Sequence, residues 1–179
     1  MLYTVECSFS DPATEAEWND FYSVEKLPAL ISVNGFITSQ RFRALTAGCP
    51  LYLAVHSIGG LDVLQSDEYR QKGGGNFACW QRQITDWHRN LYHGLERAPA
   101  VAADQYLVMT AIGPEPVIRM GLTAYQLDAV ALERSPERRW LGKWTFPEPP
   151  VIEHLPRDVQ VYLPITAQLT RAASVASQL

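Results

Sequence analysis

The sequence predicts an α+β fold in which two βαββαβ halves, each with an antiparallel sheet, follow one another. Three observations carry that expectation. Residues 1–95 order their strand-like and helix-like runs as β-α-β-β-α-β. Residues 104–179 repeat that order in compressed form, and the alanine- and proline-rich stretch Leu95 to Asp104 reads as the linker between them.

Leu2 to Phe9 (LYTVECSF) is a strand closed by Ser10-Asp11-Pro12. Asp11 is placed to cap a helix, Pro12 suits a first helical turn, and Glu15 and Glu17 sit near the positive end of its dipole. That helix is expected to run to about Ser32, with a kink near Pro28. The turn Asn34-Gly35 opens a second strand, Phe36 to Arg43, and a short link at Thr46 to Pro50 leads to a third, Leu51 to Ile58. After Gly59-Gly60, Leu61 to Gln71 reads as helix, broken by Gly73-Gly74-Gly75. Phe77, Trp80, Ile84, Trp87 and Leu91 recur at intervals of three and four, the period of an amphipathic helix, which leads into a strand near Arg89 to Leu95. This is the ferredoxin-like plan, an antiparallel sheet with both helices on one face.

In residues 104–179 the same order is expected as a strand at Tyr106 to Ile112, a stunted helix at Glu115 to Met120, and a strand at Leu122 to Leu132. A strand at Arg139 to Phe146, a helical turn at Val151 to His154 and a last strand at Val159 to Leu169 complete it. No residue-level identity links the halves, so the repeat is one of pattern, and a single irregular α+β domain is the alternative.

Composition narrows the function classes. Apolar residues make up 47% and charged residues 19% of 179, a globular balance without a disordered block. A net charge of −4 and a single basic cluster, Arg134 to Arg139, interrupted by Pro136 and Glu137, argue against nucleic acid as a partner. No apolar run approaches the roughly 20 residues that span a bilayer, so no membrane partner is expected. The opening MLYTVECSF has no basic region, long apolar core or cleavage site, and no signal peptide is expected. Cys7, Cys49 and Cys79 are odd in number and lack zinc-type spacing, which fits reduced thiols and a cytoplasmic location.

The candidate site begins with Glu25. On a helical wheel at about 100° per residue, Phe21, Tyr22, Glu25 and Ala29 fall within roughly 40–60° of Trp18, so the carboxylate lies inside an apolar stripe. Facing a sheet, its pKa would rise toward a general acid or base; the alternative is that helix tilt at Pro28 returns it to solvent or pairs it with Arg41 or Lys26. Tyr22, one turn earlier, would donate to a ligand or pack. Strand alternation sets Arg41 beside Ser39 on one face of ITSQRF, where it would hold a substrate carboxylate or a salt bridge. His56 lies in the third strand beside Tyr52 and Ala54, a position from which it could shuttle protons. His88 and His93, five apart, cannot be a local metal pair, and without HExxH or a His/Cys cluster no metal is assigned. Trp80 and Trp87 are either core or an aromatic wall for a flat ligand.

Trp18 with Phe21-Tyr22, Leu27-Pro28-Ala29-Leu30, Gly35-Phe36, Arg41-Phe42, Tyr52-Leu53-Ala54, Asp62-Val63-Leu64, Ser66 and Tyr69 are spaced as in the dimeric α+β barrel superfamily. Residues 2–95 resemble its EthD-like branch; the second half fits by strand order alone. Many EthD-like proteins carry a histidine two residues before the helix-ending proline, where this chain has Lys26. The resemblance implies a pseudo-symmetric barrel, compatible with further homodimerisation, and a small-molecule ligand held between sheet and helices. It implies a role in catabolism of an apolar or aromatic metabolite, without a cofactor if the protein is an enzyme. Glu25 or His56 would then be the base, Arg41 the anion anchor, and Tyr22, Trp80 and His93 the substrate-binding positions. A non-catalytic binding or assembly protein is the second expectation, and haem on His56 or His93 a third.

Overall fold

Strand β1 (Leu2–Phe9) divides its side chains between two environments. Leu2, Thr4 and Glu6 point one way, and Tyr3, Val5, Cys7 and Phe9 the other, as the two-residue period of a strand requires. All eight are buried or nearly so, which explains why the run reads as almost continuously apolar. The first set faces the inside of a barrel and the second faces a layer of helices.

The computed structural model describes residues 1–145 and 150–171. Strands β2 (Phe36–Ala44), β3 (Tyr52–Ile58), β4 (Ile84–His93), β5 (Gln105–Thr110), β6 (Tyr125–Leu132), β7 (Arg138–Thr145) and β8 (Val159–Pro164) complete an eight-stranded ring. Its order is β3-β1-β4-β6-β7-β5-β8-β2 with β2 returning to β3, and every pairing is antiparallel. A two-residue strand β9 (Leu169–Thr170) adds to β2. Strands β1–β4 run in the spatial order β4-β1-β3-β2, and β5–β8 in the corresponding order β8-β5-β7-β6. The seams β4–β6 and β8–β2 exchange equivalent edges, so a single chain closes the barrel and leaves no long open edge.

The expected strands and the single helical turns at Glu115–Arg119 (α5) and Ile152–His154 match closely, although Phe146 lies outside the described residues. The stretch read as a linker does more than connect. Ala98 and Val101 are buried among the barrel-interior side chains. Gln40 binds both polar groups of Val101, at 2.7 and 3.1 Å, and Ser57 Oγ accepts from the Ala98 N–H at 2.8 Å.

Two local departures shape the site. The first helix is α1 (Glu15–Phe21), a π turn (Tyr22–Lys26) and α2 (Leu27–Ile31) in direct succession. Asp11 anchors the lead-in turn, accepting from Ala13 N–H and the Thr14 hydroxyl, four residues ahead of the first helical residue Glu15. The Leu27 N–H reaches back five residues to the Tyr22 carbonyl. Pro28 has no N–H and its ring crowds the carbonyl four residues earlier, and the wider turn just before it relieves that crowding.

The second departure is at Phe77 to Leu91. The interval of three and four is not a helix but a short 3-10 turn (Ala78–Gln83) followed by β4. A bulge at β4, where Asp86 adopts φ +48°, shifts the register against β1 between Glu6 and Ser8. Beyond it Ile84 falls on the same face as Trp87 and Leu91, and all three pack in the helix-side core. An extra residue in a strand turns a two-residue period into a step of three, which imitates helical spacing. The helix expected over Leu61 to Gln71 is likewise split, into α3 (Leu61–Gln65) and α4 (Asp67–Gln71), with Ser66 Oγ accepting from the Tyr69 N–H.

Candidate functional site

Strand register lays the candidate residues out in rows on the helix-facing side of the first-half sheet. Leu91, Tyr3, His56 and Ser39 form one row, and Arg89, Val5, Ala54 and Arg41 the next. Trp18 stacks on Phe9 at 4.8 Å and meets Tyr22 and Tyr52 edge to face, which fixes the helix over these rows.

The π turn decides which polar side chain enters. Counted as an α-helix, Glu25 falls in the apolar stripe; with one extra residue in the turn, that direction belongs to Lys26. Lys26 is 8% exposed, and Glu25 lies in solvent at the rim. The placement of Glu25 against the sheet is therefore corrected, because its wheel assumed a uniform 3.6-residue turn.

Lys26 Nζ donates to the Gly73 carbonyl at 2.5 Å and to the Asn76 carbonyl, and lies 5.1 Å from the Phe77 ring and 5.7 Å from the Tyr22 ring. No described carboxylate pairs with it. Burial without a counter-charge brings its pKa down to about 8. Its inner side opens on a space of about 10 Å³, room for roughly one water, walled by Tyr3, Tyr22, Tyr69, Phe77 and Trp87. Its outer side opens on a cleft of about 300 Å³ lined by Phe21, Glu25, Ala29, Lys72 and Asn76. A groove of about 600 Å³ elsewhere, between residues 100–103 and 164–170, has no titratable side chain on its walls.

Tyr3 and Tyr69 meet hydroxyl to hydroxyl at 3.0 Å, and the Arg89 guanidinium approaches both. Burial pushes the Tyr3 and Tyr22 hydroxyls above the usual phenol range, so both are neutral donors. The Trp87 Nε1–H is buried with no hydrogen-bond partner among the described residues.

The other expected residues take different places. Tyr22 lines the inner space. Arg41 is 2% exposed and its guanidinium is consumed by α1 and the π turn: Nη1 donates to the Asn19 carbonyl at 3.1 Å and Ser23 Oγ at 2.8 Å, and Nη2 to Asn19 Oδ1 at 2.8 Å. The Tyr22 ring, 4.1 Å from it, stands between Arg41 and the cleft, so Arg41 acts there through its field, not by contact. Its pKa is lowered to about 10 by burial, which still leaves it charged.

His56 is fully buried, stacked on Tyr3 at 5.4 Å and edge-on to Phe36, with Nδ1 on Ser39 Oγ at 2.8 Å. Burial lowers its pKa to about 3, so the ring is neutral at physiological pH. It lines neither cleft space, and rings pack where an axial haem ligand would need room. Trp80 packs on Phe9 away from the cleft, and His93 is exposed at the end of β4. Among the described residues no group of three or more His, Cys, Asp or Glu could hold a metal ion, and no helix is long and apolar enough to cross a membrane.

Lys26 is the residue that helical-wheel reasoning passes over. The signal that points to it is its place two residues before Pro28, where the turn has to widen. Tyr3 and Tyr69 come together only through β1 and α4, and nothing in their spacing announces it.

No protein-family model matches this sequence, and no curated protein matches it. The fold does match solved structures. An anthrone oxidase-like protein superposes with a TM-score of 0.55 at 9% identity, over 99% of this chain and 96% of its own. A candidate monooxygenase from Lactobacillus acidophilus NCFM gives 0.53 at 8% identity, over 95% and 96%. Another from Fusobacterium nucleatum gives 0.55 at 7% identity, over 95% and 94%. These likenesses cover nearly the whole of each chain and establish the α+β barrel fold.

Proposed function

We propose that this protein acts on an aromatic or apolar small molecule held in the cleft between the first-half sheet and its helices, by cofactor-independent proton transfer at Lys26. The observation that carries this reading is a buried lysine, free of any described carboxylate, at the junction of an aromatic-walled inner space and an open outer cleft. A pKa of about 8 puts the amine where proton transfer is efficient near neutral pH. The neutral amine would take a proton from an acidic O–H or C–H of the ligand, and the ammonium so formed would face the resulting anion. With dioxygen as co-reactant, the same deprotonation would open an oxidation, in keeping with the names of the similar structures. The EthD-like likeness of the first half fits this reading, with Lys26 standing where a histidine is common.

Native mass spectrometry of the purified protein tests it. An aromatic small molecule retained by the wild type and lost from Phe77→Ala is the expected result. Absence of any retained molecule, together with no binding from an aromatic fragment set by ligand-observed NMR, would overturn it.

A further inference from the structure

The helix-facing layer of the first-half sheet has a charge imbalance. Four charged side chains are buried among the described residues: Glu6, Lys26, Arg41 and Arg139. Glu6 and Arg139 pair with each other at 3.0 Å inside the barrel. Lys26 and Arg41 remain on the other side of the sheet with neutral partners only: two backbone carbonyls for Lys26, and Asn19 and Ser23 for Arg41. A third cation, Arg89, stands 5.0 Å over the Trp87 ring beside Tyr3 and Tyr69.

The remaining groups facing Lys26 do not offset this. Among the described residues Glu25, in solvent, is the one carboxylate lining the cleft, and Lys72 lines it as well. Cys7 on β1 is held up to about 12 and the Tyr22 phenol is held up by burial, so neither supplies an anion. The Trp87 Nε1–H is a buried donor with no acceptor, on the wall of the same inner space. Cations taken from water without a counter-ion are costly, and a buried donor left unpaired adds to that cost. Both deficits are met by a single acceptor of negative charge.

Resting on the reading of the cleft given above, we infer that its ligand is a weakly acidic aromatic, a phenol or enolisable aryl ketone, bound as its oxyanion. The oxyanion sits at Lys26, taking the place of the Gly73 and Asn76 carbonyls as acceptor. The aryl group lies in the outer cleft, and Trp87 Nε1–H offers the second donor. An ordinary carboxylate would satisfy the charge equally well but would gain nothing from the cleft as an acid. A phenol or enol gains ionisation itself, since the Lys26 ammonium beside it favours the oxyanion and lowers the pKa of the bound neutral acid.

The test uses the full chain with 4-nitrophenol, whose phenolate is yellow, and nitrobenzene as its non-ionisable counterpart. Binding is followed by tryptophan fluorescence and ionisation by visible difference absorption across a pH series. The phenolate is expected to bind at least about tenfold more tightly than the phenol, seen as an apparent pKa about one unit or more lower for the bound dye. Lys26→Met should remove the shift, Lys26→Arg should keep part of it, and Trp87→Phe should reduce it. If both compounds bind alike and the dye's ionisation does not move, the inference fails while the cleft reading stands. If neither compound binds to wild-type protein with intact near-ultraviolet circular dichroism, both fail. Should Lys26→Met not fold, the wild-type shift and its reduction in Trp87→Phe decide the matter.

Discussion

The Lys26 ammonium and the Gly73 carbonyl, 2.5 Å apart, tie the middle of the long helix to the glycine loop that follows α4. That loop has little freedom to move outward or inward. A Cβ at Gly74 would lie 2.3 Å from the Tyr69 ring, and Gly73 and Gly75 both adopt positive φ. Tyr69 is in turn fixed by Tyr3 and by stacking on Phe36 at 6.1 Å. Gly74→Ala is therefore expected to displace the loop from Lys26 and to destabilise the fold by about 1–3 kcal/mol, the usual cost of overpacking. Thermal unfolding of the variant checks the cost, and a Tm equal to the wild type would contradict it.

Lys26→Met should stabilise the empty protein near neutral pH. The folded-state pKa is about 8 against an ordinary 10.5, so below pH 8 the lysine is charged in both states and its full burial penalty is present. Between about 8 and 10.5 the unfolded chain binds the extra proton, and wild-type stability rises with pH across that window. The shift corresponds to roughly 3 kcal/mol at most, before lost hydrogen bonds are counted. Urea unfolding of both proteins at pH 7 and at about pH 9.5 should show the variant's advantage shrinking at the higher pH.

The imidazole of His56 should stay neutral well into acid. Its pKa of about 3 lies below the ordinary 6.5, so between those values the unfolded chain binds a proton that the native state refuses. Stability contributed by the neutral ring is complete above pH 6.5 and is lost as pH falls toward 3. In NMR spectra the His56 Cε1–H signal should not move between about pH 7.5 and 4.5. A normal titration midpoint would show that the ring is not packed on Tyr3 and bonded to Ser39 as described.

Arg41 and Asn19 should couple strongly. Asn19 supplies both a backbone and a side-chain acceptor to the guanidinium and also donates to the Tyr52 hydroxyl at 2.8 Å. Asn19→Ala leaves a buried charge short of an acceptor, at a cost of about 1.5–3 kcal/mol. In an Arg41→Met background the same change should cost at least about 1 kcal/mol less, since the charge is gone. Additive costs in that double-mutant cycle would remove the assigned pairing.

Much of the architecture is legible in the order of residues. β1 and β3 are strongly apolar runs and β2 a mixed one, bounded by Asp11-Pro12, Gly35 and Gly59-Gly60, and their limits agree within a residue with those seen. The single-turn α5 between β5 and β6 is legible too, because Pro114 and Gly121 bracket it. Phe77 to Leu91 misled because a bulge at Asp86 converts strand alternation into helix-like spacing. Nothing in composition marks that bulge, which lies where β4 pairs with β1, short of the residues that reach β6.

The chain's local preferences determined that this is an α+β protein with eight principal strands, and that Trp18 and Tyr22 bind their helix to a sheet. Which polar side chain enters beneath that helix was settled by tertiary structure. Pro28 cannot continue a regular turn, the turn before it widens, and one added residue is enough to send Glu25 outward and Lys26 inward. Likewise Arg41 was legible as a cation on a strand, but its burial and its partners Asn19 and Ser23, 22 and 18 residues away, follow only when the helix docks. A charge is placed by the nearest turn of backbone, whereas its partner is chosen by packing between elements distant along the chain.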